Sequence, residues 1–104
     1  MTVSQANEFF SLIVNKIDGK RKLTREEILY FRGIINDNPF LQLKAKYVAA
    51  ALNVHASTIR RWRIAGVINS SCQTGIKKIT YYYSGYEVIR LMKLQIFFNH
   101  FELL

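Results

Sequence analysis

Val48-Ala49-Ala50-Ala51-Leu52-Asn53-Val54-His55-Ala56-Ser57-Thr58-Ile59-Arg60-Arg61-Trp62 is the stretch whose reading settles the architecture. Two short helical patterns meet in it, roughly Lys44 to Leu52 and Ala56 to Ala65, on either side of Asn53-Val54-His55. Val48, Ala49 and Leu52 make an inner face for the first, and Ile59 and Trp62 make one for the second. Helices that cross sharply over a tight turn need a small residue where the backbones pass, and Ala49 supplies it. The turn itself needs a residue that tolerates a left-handed backbone. Glycine does so best and asparagine next, and Asn53 holds the position, with Val54 as the apolar plug under the corner. One short run meets all these demands, so it predicts a helix-turn-helix.

Periodicity then assigns the outer face of the second helix. At ~100° per residue, Ser57, Arg60, Arg61 and Ile64 lie opposite Ile59 and Trp62, with Thr58 and Arg63 on the flanks. An outward arginine can donate two hydrogen bonds to the O6 and N7 of guanine, a geometry lysine cannot match. Arg60 and Arg61 are therefore the base-reading candidates, Ser57 is a third near the helix start, and Arg63 is expected on phosphate. His55 stands where Ser, Asp or Asn would cap better, and can cap weakly or reach a phosphate.

Charge points the same way. The chain has 104 residues, a formal net charge of +8 and a pI near 9.9, which favours a polyanionic partner: nucleic acid first, an acidic membrane surface second. From Asn38 through Tyr86 there is no acid, while Lys44, Lys46, Arg60, Arg61, Arg63, Lys77 and Lys78 all fall inside. A solvated surface normally mixes both signs. Cys72 is the single cysteine, so no internal disulfide forms, and with no signal-peptide pattern and no apolar run near the ~20 residues of a membrane span, a cytoplasmic location is expected.

Outward from the centre, residues Ser4 to Ile17 read as a first helix closed by Gly19. Thr24 and Glu27 form a capping box, with Leu23 and Ile28 as a hydrophobic staple, for a second helix whose face is Ile28, Phe31, Ile34 and Ile35, and which ends before Pro39. Beyond the central pair, Gly66 suits a helix end, Val67 and Ile68 read as extended, and a polar loop through Ser70, Ser71, Gln73, Thr74 and Gly75 leads to a strand from Ile79 to Tyr83. Ser84 and Glu87 form a second capping box for a last helix running towards Phe101. The expected fold is one mainly α domain over 1–104: an N-terminal helical extension (1–38), a core with a two-stranded hairpin (43–91) and a C-terminal helix end (92–104). In that last helix Val88, Leu91 and Met92 share an apolar side that docks under the Ile59 helix, but beyond Leu94 the apolar residues Phe97, Phe98 and Phe101 rotate to the opposite side. Either the Phe9, Leu12 and Ile13 face of the first helix covers them, or a second copy of the chain does, as a homodimer or cooperative array with Phe97 and Phe101 at the contact.

The stretch from Leu43 to about Leu91, half the chain, resembles the winged helix-turn-helix of the MerR and phage excisionase superfamily. The resemblance lies in Val48 to Val54, Thr58-Ile59-Arg60-Arg61-Trp62, Ala65-Gly66-Val67-Ile68, the basic Lys77-Lys78, and Tyr81-Tyr82-Tyr83 leading into Ser84-Gly85-Tyr86-Glu87-Val88-Ile89. It implies double-stranded DNA as partner, a recognition helix in the major groove with Arg60 and Arg61 on bases, and a wing whose Lys77 and Lys78 grip phosphate. Asn53 and His55 depart from the family's usual Gly at the turn and Ser near the helix start. MerR-type sensors add a long dimerisation helix and a cysteine-bearing effector region. With one cysteine and no such region, no metal, cofactor or small-molecule effector is expected, and a small transcriptional regulator or excisionase-like recombination factor fits better.

Other function classes fit less well. No paired carboxylates, nucleophile–His pair, phosphate loop or metal cluster marks an enzyme, and Tyr81, Tyr82 and Tyr83 read as strand residues alternating between core and solvent. Thr58 is expected to join the recognition-helix contacts, and Lys44, Lys46 and His55 to make weaker contacts with the DNA backbone; the alternative is a protein-interaction module whose basic face binds an acidic partner. RNA ranks third, because a recognition helix suits the wide DNA groove.

Overall fold

The Thr24 hydroxyl accepts the Glu27 N–H at 3.2 Å while the Glu27 carboxylate accepts the Thr24 N–H at 2.8 Å, so the expected capping box opens its helix. The same carboxylate, buried, accepts Lys16 Nζ at 3.0 Å and ties the first helix to the second. These N–H donors, Thr24 first and Lys16 next, hold the Glu27 pKa below its ordinary 4.5. In the computed structural model, which describes residues 3–97 and the side chains of 8–95, the chain order is α1 (Val3–Asp18), α2 (Arg25–Asp37), β1 (Gln42–Leu43), α3 (Ala45–Leu52), α4 (Ala56–Ile64), β2 (Ser71–Thr74), β3 (Ile79–Ser84) and α5 (Gly85–Phe97). Among the described residues the chain is mainly helical, with five helices and a small antiparallel sheet.

Three helices end in the same way. After α1, α3 and α4 the chain enters the left-handed region at Lys20 (φ 56°), Asn53 (φ 57°) and Gly66 (φ 79°). Each time the following N–H reaches back five residues: Arg21 to Lys16 O, Val54 to Ala49 O and Val67 to Trp62 O, at 2.8–3.0 Å. These are Schellman ends, which satisfy carbonyls the helix cannot. Asn53 and Gly66 stand where the sequence placed them. At the end of α1 the left-handed residue is Lys20, and Gly19 is the residue before it, contrary to expectation.

The sheet departs further from the sequence reading. It has three strands, in the order β1-β3-β2, and not two. Ser71–Thr74, read as loop, is the strand that pairs with β3, Ser71 opposite Tyr82 and Thr74 opposite Ile79. Val67 and Ile68 lie outside any strand, and Ile68 drops into the core. β1 pairs through Leu43 and Tyr83. The core gathers Ile13, Phe31, Ile35, Val48, Leu52, Ile59, Ile68, Tyr83 and Val88, so it draws on all five helices.

α5 begins against Pro39. The Gly85 N–H donates to Leu41 O at 2.9 Å and the Tyr86 N–H to Pro39 O at 3.1 Å. A Cβ on Gly85 would stand 2.8 Å from the Pro39 backbone, so only glycine fits. Val88, Leu91 and Met92 are buried, as expected, in the cluster that also holds Ile59 of α4, with α5 lying mainly against α2, α3 and β3. The Ser84 hydroxyl accepts the Glu87 N–H at 3.3 Å, while the Glu87 carboxylate turns away to the Asn69 N–H (2.8 Å) and to Arg90, so half of the second capping box forms. Two turns beyond Glu87, Gln95 is buried and donates to Leu52 O at 2.9 Å. Arg32 of α2 donates to Ala51 O at 2.6 Å and to Gln95 Oε1 at 3.2 Å. The last four residues of α3 thus have their carbonyls answered by Val54, Asn53, Arg32 and Gln95 in turn.

Candidate nucleic-acid interface

Ile59 is fully buried and Trp62 packs against the core, which fixes the inner side of α4. Ser57, Arg60 and Arg61 are exposed on the outer side, beside a 70%-exposed Ile64. Thr58 is half-buried, and its hydroxyl accepts Arg61 Nη2 at 3.1 Å, which lays that guanidinium along the helix towards its start. Among the described residues neither Arg60 nor Arg61 meets a carboxylate. His55 precedes α4 in an extended conformation, exposed, with no side-chain cap. The N–H groups of the first turn therefore lack a side-chain acceptor and keep the partial positive charge of a helix start.

Arg63 sits on a flank of α4, as expected, and has a partner there. It is half-buried, its guanidinium lies 3.7 Å from the centre of the Tyr81 ring, and its Nε is covered without a hydrogen-bond partner. The flank of α4 on which it sits faces Tyr81, so Arg63 bridges α4 to β3. Tyr83 is buried and Tyr81 packs against the core, in keeping with alternation along the strand.

At the hairpin tip the Gly75 N–H donates to Lys78 O at 2.7 Å, leaving Ile76 and Lys77 as the turn. Lys77 and Lys78 are exposed, and so is Ile76. Lys44 is exposed ahead of α3. Lys46 is not free. Its Nζ lies 2.8 Å from Asp18 Oδ1, and that atom also accepts the Tyr47 hydroxyl at 2.8 Å. Lys46 and then Tyr47 hold the Asp18 pKa below its ordinary 3.8. The stretch that carries no acid in sequence therefore meets one in space, from α1. A second acid, Glu87, is tied up by Arg90 and by the Asn69 N–H, both of which lower its pKa.

Phe97 has no described side chain and Phe101 lies outside the described residues, so the expected self-association contact falls beyond them. Next to it Leu94 is 40% exposed. The α1 face offered as its cover is already in part engaged: Ile13 is buried and Phe9 packs edge-on against Tyr30 at 4.6 Å, while Leu12 is exposed. The sequence reading placed Glu27 in its capping box but missed its burial and its pair with Lys16, and it missed the contacts of Arg32 and Gln95 with the end of α3.

Among the described residues no group of three or more His, Cys, Asp or Glu is placed to hold a metal ion, and no helix is long and apolar enough to cross a membrane. No protein-family model, curated protein or solved structure matches the chain.

Proposed function

We propose that the chain is a sequence-specific double-stranded DNA-binding protein of winged helix-turn-helix build. In this reading α4 enters the major groove, Arg60 and Arg61 read base edges with Ser57 beside them, and Lys77 and Lys78 on the hairpin grip the backbone. The observation that carries it is the face of α4: two exposed arginines with no acid among their described neighbours, on a helix anchored by Ile59 and entered through a left-handed Asn53. A buried side fixes the helix axis, and a fixed axis makes bidentate arginine contacts sequence-selective. The role is that of a small transcriptional regulator or a recombination accessory factor, which use one and the same interface. A second copy of the chain against the Phe97–Phe101 end adds the contact area a single small DNA-binding module lacks, ~600–1,000 Å² on its own.

Selection of bound sites from random duplex DNA tests the proposal. A short recovered motif is expected. With ~4–6 phosphates neutralised, log K against log salt should have a slope of roughly −4 to −5. A protein that binds no duplex even at low salt, or that recovers no motif while holding an acidic protein, would overturn it.

A further inference from the structure

The α1–α2 loop and the start of α4, more than thirty residues apart in sequence, form the two lips of one cleft. Lys20, Arg21 and Lys22 line one side, and Asn53, His55 and Ala56 line the other. At about 830 Å³ the cleft is larger than a single bound ion would fill; Ile17, Leu23, Ala49 and Val54 line it between the two lips. We infer that this cleft is a second grip on DNA, in which Lys20, Arg21 and Lys22 hold phosphates of the strand flanking the groove that α4 enters. The inference rests on the DNA-binding reading of α4 and gives the N-terminal helices a role beyond packing.

Charge is the first support. The one acid lining the cleft is Asp18, and its carboxylate is occupied by Lys46 and by the Tyr47 hydroxyl. Among the described residues Lys20, Arg21 and Lys22 form no ion pair, so three cations face the cleft with nothing to neutralise them. The opposite lip adds the uncapped first turn of α4, whose N–H groups also favour anions.

Lys20 supplies the second support. Its backbone is left-handed, at φ 56°, in a position that glycine would take without a steric penalty. A lysine there costs stability relative to glycine while it places a charge at the mouth of the cleft, and strain of this kind concentrates at functional sites. Duplex backbone is favoured over an acidic peptide because the far lip is the beginning of α4. In a helix-turn-helix the start of the recognition helix enters the groove, and the elements packed around that start cross the flanking backbone.

Titration of labelled duplex at several salt concentrations tests this, with thermal melting as the control for folding. The Lys20→Gly variant should melt higher by about 2–6 °C, yet lose about one unit of salt slope. The triple variant Lys20→Gly, Arg21→Gln, Lys22→Gln should lose about 2–3 units of slope and roughly 10- to 100-fold in affinity at low salt, with its sequence preference unchanged. Hydroxyl-radical footprints should lose backbone protection on the flank of the site. A triple variant with the wild-type slope and footprint would remove the loop from the interface and leave the reading of α4 intact. A wild type that binds no duplex would overturn both. A wild type that binds polyglutamate and not duplex, with the triple variant losing that binding, would reassign the cleft to an acidic protein.

Discussion

Single residues divide the basic surface into groups that should fail differently. Arg60→Ala or Arg61→Ala should each cost about 1–3 kcal/mol on the preferred site and relax its sequence preference, because each is exposed and meets no described acid. The double Lys77→Ala, Lys78→Ala change should weaken all duplexes alike and flatten the salt slope by about two units. Arg63 belongs with neither. Its stack on Tyr81 holds the hairpin to α4, and lysine keeps the charge but not the flat guanidinium. Arg63→Lys should therefore lower stability by about 0.5–1 kcal/mol and leave the salt slope unchanged. Denaturant melts set beside binding curves separate these outcomes, and a flattened slope for Arg63→Lys would return it to the phosphate group. Periodicity gave no warning of this, since it assigns Arg63 to a flank and cannot say that the flank faces Tyr81.

Element by element, the sequence was most legible where a local rule suffices. The Thr24–Glu27 box, the Asn53 turn and the Gly66 end each follow from residues within a few positions of one another, and each is present. β2 was illegible because Ser71-Cys72-Gln73-Thr74 is exposed throughout and has no apolar face to alternate; its pairing with β3 makes it a strand, and pairing is a long-range event. The Lys16 pair of Glu27 and the contacts of Arg32 and Gln95 were missed for a related reason, since a polar residue on a buried face declares itself only when its partner is known. Two element-level predictions follow from these contacts. Gly85→Ala puts a methyl 2.8 Å from the Pro39 backbone and should cost about 1–3 kcal/mol. Glu27→Gln should cost roughly 1–2 kcal/mol at neutral pH through its lost Lys16 and Thr24 contacts. Because folding lowers the Glu27 pKa from 4.5, its contribution is complete above that pH and is lost as the pH falls below it. The wild type should therefore weaken on acidification below about pH 4.5, and the variant should show less of that fall. Equal acid limbs in denaturant melts would count against this placement of the charge.

For the whole molecule, what remains to be measured is how copies combine. Sedimentation of wild type and of a Phe97→Glu, Phe101→Glu variant, with and without duplex, should show association on DNA for the first and its loss for the second; a wild type that stays monomeric and binds without cooperativity would remove the second copy. The way α3 ends has another consequence, for the order in which the molecule comes together. The Leu52 carbonyl, next to the turn that sets the angle of α4, takes its hydrogen bond from Gln95, 43 residues later in the chain. α3 has only eight residues, too few to hold itself together in water. A growing polypeptide that has reached the end of β3 thus carries every residue assigned to DNA and still lacks the group that closes the corner. On the proposed reading the recognition unit is finished from behind, by α5, so a nascent chain should bind duplex without sequence preference until α5 has docked.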